Sequence, residues 1–185
     1  EVRARVRAPV ATGNSHQAVF TSHEYKEVQL WREFLDPFFA ALGWDMENRE
    51  GLAPEWREVI REDTQRTGEG VKAPDYAFKV GRERDFFVEA KKPSVDLKVD
   101  PAPAYQLRRY GWNARMAVSI LTDFQEFALY DCREKPKAGA KAVESRIDYF
   151  TYDQLDERLE FLWNTFTKRA IKRGALAKYA QGRKG

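Results

Sequence analysis

Residues 74 to 93, PDYAFKVGRERDFFVEAKKP, hold two apolar rows that alternate with polar residues: Tyr76, Phe78 and Val80, then Phe86, Val88 and Ala90. A period of two is the mark of strands, and Gly81 between the rows marks the turn of an antiparallel hairpin. A one-residue slip would send a whole apolar row to the wrong face, so burial selects the register. It sets Phe78 opposite Phe86, Tyr76 opposite Val88 and Val80 opposite Arg84, with a three-residue loop from Gly81 to Glu83.

That register has a chemical consequence. Asp75 falls opposite Glu89, and Lys91 lies two residues along on the same face. Directly opposed carboxylates repel, and nothing in a hairpin requires them. A divalent cation would remove the conflict: Mg²⁺ takes carboxylate oxygens, keeps several waters and accepts phosphate oxygens, and the main-chain carbonyl of Ala90 offers a further ligand. Lys91 beside it would position water for attack on phosphorus and stabilise the developing charge, which is phosphodiester hydrolysis without a nucleophilic side chain. A surface hairpin whose polar face carries a salt bridge would hold the same residues. Glu-x-Lys also occurs at Glu24-Tyr25-Lys26, without an upstream Pro-Asp.

The rest of the chain predicts what packs on the hairpin. Thr21 and Glu24 form a capping box before a helical row of Val28, Trp31 and Leu35, and Asp36-Pro37 predicts a break and a second short helix ending at Gly43. Residues 45–72 read as a polar insertion with a helix around Trp56, Val59 and Ile60. AYQLRRYGWN predicts a helix running into Gly111, RMAVSILTD and QEFALYDC two strands, and RIDYF a fifth. A second capping box, Thr151 with Gln154, opens one long helix to Gly174 with Leu155, Leu159, Leu162, Trp163 and Phe166 as its apolar stripe. The order implies an α/β (α+β mixed) fold: a central mixed β-sheet flanked by helices, with a C-terminal amphipathic helix. It divides into an arm at 1–20, a domain at 21–150 and a C-terminal helix or connector with a basic tail at 151–185.

No apolar run reaches the ~18 residues of a membrane span, and the start lacks a signal-peptide core, so a cytoplasmic protein without membrane contacts is expected. One cysteine, Cys132, and two histidines cannot assemble a zinc site. Residues 168–185 carry seven Lys or Arg and no acid. Such a run either attracts phosphates or forms a solvated helix face.

Pro74-Asp75 with Glu89-Ala90-Lys91, followed by Gln106-Leu-Arg-Arg-Tyr110, resembles the PD-(D/E)xK nuclease superfamily and the Q-x-x-x-Y branch shared by restriction and recombination nucleases. EVQLWREFLDPFFAALGWD is similar to the opening helix of bacterial restriction nuclease domains, and FLWNTFTKRAIKRGALAKYA to the connector of single-chain type IIG restriction-modification enzymes; type I enzymes are also similar. The resemblance implies a restriction-endonuclease-like fold and a Mg²⁺-dependent endodeoxyribonuclease, with Mn²⁺ able to substitute. Asp75, Glu89 and the Ala90 carbonyl would bind metal, Lys91 would orient water, Gln106 and Tyr110 would position, and Glu27, or Glu24 a turn earlier, would be an auxiliary acid. Arg108, Arg109 and Arg115 would grip phosphates of double-stranded DNA. The complete enzyme would add a methyltransferase using S-adenosylmethionine and a target-recognition domain, none of whose motifs occur here, and a transient dimer would serve double-strand cutting. The alternatives are a recombination or repair nuclease acting on ends or single strands, and a nonenzymatic nucleic-acid-binding module.

Overall fold

The computed structural model describes residues 27–61 and 73–182. The 1–20 arm and the Thr21–Glu24 capping box lie outside them. Helix α1 runs without a break through Glu27–Leu30, Trp31–Leu35 and Asp36–Ala41, the middle piece π-helical. The break expected at Pro37 is absent. The Asp36 N–H instead reaches back to the Trp31 carbonyl, and this wider turn lies beside the proline that cannot donate. Asp36 is not a helix cap. Its carboxylate accepts from Tyr76 Oη at 2.8 Å and from Arg61 Nη2 at 2.6 Å.

Six strands follow: β1 (Val59–Arg61), β2 (Tyr76–Val80), β3 (Glu83–Ala90), β4 (Val118–Thr122), β5 (Glu126–Asp131) and β6 (Arg146–Thr151). They form one mixed sheet in chain order, with β3 and β4 parallel and all other neighbours antiparallel. The expected mixed sheet flanked by helices is borne out, but the helix expected around Val59 and Ile60 is the edge strand β1, paired with β2 through Val59 and Phe78. The 3₁₀ turn Pro54–Trp56 directly precedes it.

The hairpin register holds where the apolar rows meet, Tyr76 opposite Val88 and Phe78 opposite Phe86, whose rings stack at 4.5 Å. Toward the turn it differs. A bulge between Phe78 and Lys79 pairs Val80 with Glu83 rather than Arg84, and Asp85 accepts the Val80 N–H at 2.7 Å. A side-chain acceptor thus replaces a ladder carbonyl, leaving a two-residue turn.

One sheet face, with Tyr76, Phe78, Phe86, Val88, Ile120 and Phe127, is buried under α1 and the C-terminal helices. The other, with Ala77, Phe87, Leu121, Ala128 and Tyr130, is covered by α2 (Pro101–Asn113). Asp100 caps α2 by accepting the Ala102 N–H at 3.0 Å, and the helix continues through Gly111 instead of stopping there. A Cβ on Gly111 would lie 2.5 Å from Cys132 Sγ and 2.6 Å from Cys132 Cβ, so this glycine lets α2 sit close on β5. Gly111→Ala is expected to destabilise by about 1–3 kcal/mol in urea unfolding. Cys132→Ala should not rescue it, because the Cβ clash remains.

The predicted long C-terminal helix is divided. After the capping box at Thr151 and Gln154, which is present as expected, α3 spans Leu155–Phe166, α4 Lys168–Lys172 and α5 Ala175–Gly182. Thr167 leaves helical geometry at ψ 154° and caps α4 by accepting the Ala170 N–H. Trp163, expected in the apolar stripe, is exposed, and Thr165 is buried instead. Among the described residues no helix is long and apolar enough to cross a membrane.

Candidate functional site

Alternation along β2 and β3 puts Asp75, Glu89 and Lys91 on the sheet face covered by α2, because Ala77 and Phe87 on the same parity pack there. The observed pairing of Tyr76 with Val88, continued by one residue, sets Asp75 opposite Glu89. Asp75 Oδ2 accepts the Ala90 N–H at 2.6 Å, holding the acid at the end of the hairpin. On the far side of the strand, Lys91 N–H bonds the Thr122 carbonyl at 2.9 Å. A residue in a strand sends its N–H and C=O the same way, so the Ala90 carbonyl also faces the Asp75 side.

Glu89 is 2% exposed, and its Oε1 accepts from Lys91 Nζ at 2.6 Å. Gln106 Nε2 donates to Tyr110 Oη at 2.9 Å, as expected for residues one turn apart on one helix face. Burial raises the pKa of the Tyr110 hydroxyl, the Gln106 hydrogen bond opposes that shift, and Glu89 raises it further against Lys91. Tyr110 thus lies within electrostatic reach of the acid and the lysine.

Three expectations fare differently. Arg108 does not face solvent: it is 4% exposed on the inner side of α2 and is no phosphate grip. Arg109 is exposed on the outer side of α2. Arg115 is exposed, but it precedes β4, and β4 runs parallel to β3 with Ala90 beside Thr122. It therefore sits at the hairpin-turn end of the sheet, roughly 20 Å along the strands from Glu89. The Glu27 and Glu24 side chains lie outside the described residues.

Nothing in the sequence marks Asp123 except the turn it begins. Its Oδ1 accepts the Glu126 N–H at 2.7 Å, and Glu126 in turn accepts from the Tyr149 hydroxyl. Continuing the pairing of Ala90 with Thr122 places Asp123 beside Lys91. Burial, aided by the Glu126 carboxylate and opposed by the backbone N–H donors, pushes its pKa up to about 7.

The donor set fits a hard divalent cation. Among the described residues no three His, Cys, Asp or Glu side chains come together, which leaves two opposed carboxylates and one carbonyl. Mg²⁺ accepts such a set because it retains waters and is bound through one or two carboxylates plus substrate oxygens.

No family model matches the chain, and no solved structure matches it. The chain is 39% identical over 157 residues to the Type II restriction enzyme and methyltransferase RM.Eco57I of Escherichia coli. The chain is thus related, over 84% of its own length, to part of a bacterial restriction enzyme, and spans 16% of that enzyme's length.

Proposed function

We propose that this chain is a metal-dependent DNA endonuclease module of the PD-(D/E)xK type, the cleavage part of a restriction-modification enzyme. What supports it is the register that, continued by one residue, sets Asp75 opposite Glu89, with Lys91 bonded to Glu89, on the face covered by the helix that carries Gln106 and Tyr110. The relationship to part of a restriction enzyme supports DNA as the substrate class.

In this reading Asp75, Glu89 and the Ala90 carbonyl hold Mg²⁺, which when bound polarises a phosphoryl oxygen and offsets charge in the transition state. The protein's own groups do the positioning. Asp75 is fixed by the Ala90 N–H and Lys91 by Glu89, so both are preorganised before substrate arrives. Lys91 Nζ orients the attacking water and stabilises the charge that grows on the phosphoryl oxygens. Gln106 and Tyr110 form the α2 wall of the site, where a hydroxyl and an amide meet the phosphate or its water. A methyltransferase with S-adenosylmethionine and a target-recognition domain would belong to the complete enzyme, and a transient dimer to double-strand cutting.

The test is incubation of supercoiled plasmid with Mg²⁺, Mn²⁺ or EDTA. Nicking or linearisation is expected with either metal and none in EDTA. Asp75→Asn keeps an acceptor for the Ala90 N–H while removing the charge, and should lower the rate by at least about 10²-fold with the melting temperature preserved. Cleavage in EDTA, or full activity in Asp75→Asn, would exclude this mechanism; a strong preference for linear ends would mark a recombination or repair nuclease instead.

A further inference from the structure

We infer a second DNA-binding surface at the end of the sheet away from the carboxylates, formed by α4 and the β2–β3 turn. A cleft of about 710 Å³ opens there, lined by Lys79, Lys168, Arg169, Lys172 and Arg173 against one acid, Glu58. That acid is already engaged: Oε1 accepts from Lys168 Nζ at 2.6 Å and Oε2 from the Asp45 N–H at 2.9 Å. Arg169, Lys172 and Arg173 are exposed; Arg169 and Lys172 share one face of α4 at i, i+3 spacing, and Arg173 follows directly at its C-terminus. Helix α4 packs against β2, which carries these cations to the hairpin turn.

Across the cleft, exposed Trp56 supports Arg82, whose guanidinium carbon lies 4.8 Å from the ring centroid. Stacking uses the guanidinium face and leaves its N–H edges directed outward, the geometry that suits phosphate. Gly81 sits against the same ring, since a Cβ there would lie 3.8 Å from the Trp56 ring edge. The turn and the tryptophan thus present Arg82 as one unit.

A concentration of cations with one neutralised acid is complementary to a polyanion; Leu52, Trp56 and Val80 also line the cleft and Lys79 is buried, but its exposed charges are arginine and lysine, which favours a phosphate backbone. From Asp75 to Val80 the hairpin spans roughly 15 Å, under half a turn of duplex, which is about 34 Å. Helix α4 packs on the sheet face opposite the carboxylates, so the cleft would hold DNA beyond the hairpin turn rather than at the scissile phosphate itself. The inference rests on the nuclease reading only for the identity of the polyanion.

The test measures binding of a labelled mixed-sequence duplex to the full chain in EDTA, by anisotropy, from about 50 to about 200 mM salt. Replacing Arg169, Lys172 and Arg173 together by Gln should weaken binding at least about 10-fold and flatten the salt slope by roughly 2 to 3, near 0.9 for each phosphate that is no longer neutralised. A control triple, Lys135, Lys137 and Lys141 to Gln on the exposed β5–β6 connection, should change the slope by less than about 1. Equal effects of the two triples would reduce the result to net charge and overturn the inference. An unchanged affinity and slope in the α4 triple would also overturn it. Because the readout is binding rather than cleavage, a failed nuclease reading leaves this measurement interpretable.

Discussion

Lys91→Ala is expected to lower DNA cleavage by about 10²–10⁴-fold and, in EDTA, to destabilise the fold by about 3–5 kcal/mol. Both effects have one origin. Glu89 is 2% exposed and its Oε1 lies 2.6 Å from Lys91 Nζ, while the register sets a second carboxylate, Asp75, opposite it. Removing the ammonium leaves a buried carboxylate facing another acid, and the desolvation already incurred is no longer offset. A divalent cation would supply the missing positive charge, so adding Mg²⁺ should restore part of the lost stability in urea unfolding without restoring cleavage. The pair Glu89→Gln with Lys91→Met removes both charges. It should also be inactive, yet lose far less stability than Lys91→Ala, because both charges of the ion pair are removed together. If Lys91→Ala unfolds no more easily than wild type and gains nothing from Mg²⁺, the cation-binding role of this cluster is wrong. If the variant retains cleavage, its part in the chemistry is wrong.

A fall in stability as pH rises from about 4 to about 7 is the second expected result, and Asp123 is its source. Burial pushes its pKa from 3.8 up to about 7, so the folded protein favours the protonated acid and the unfolded chain does not. The folded state then binds more protons than the unfolded one between those values, and stability declines with pH across that window. The contribution is fully present below about pH 4 and lost above about pH 7, a difference on the order of 4 kcal/mol. Asp123→Asn keeps the acceptor for the Glu126 N–H but never ionises. It should therefore be more stable than wild type at pH 8, similar near pH 4, and flatter between the two when unfolding is followed in EDTA. A wild-type-like slope in Asp123→Asn would place the pH sensitivity elsewhere. Measuring without metal keeps the result separate from occupancy at the neighbouring carboxylates.

Much of the candidate site was legible because alternation along a strand is a local property. Once Tyr76, Phe78, Phe86 and Val88 must share a buried face, parity alone puts Asp75, Glu89 and Lys91 on the other one. Helical spacing likewise paired Gln106 with Tyr110. The bulge at Lys79 was not legible, because it depends on the Asp85 carboxylate taking the Val80 N–H from the ladder, a competition that apolar patterning does not encode. The same holds at Pro37, where a wider helical turn absorbs a residue that usually ends a helix.

Residue type and spacing therefore determined by themselves the mixed α/β class, the hairpin's core register and the shared sheet face of Asp75, Glu89 and Lys91. Each follows from short-range periodicity joined to the need to bury one face. Tertiary structure alone decided that Arg108 points inward as α2 rests on the sheet through Gly111, that Asp123 comes beside Lys91, and that the cations of α4 gather at the hairpin turn. Those placements join residues far apart in the chain. Which distant surfaces meet is set by close packing of the whole core, and no local pattern carries that information.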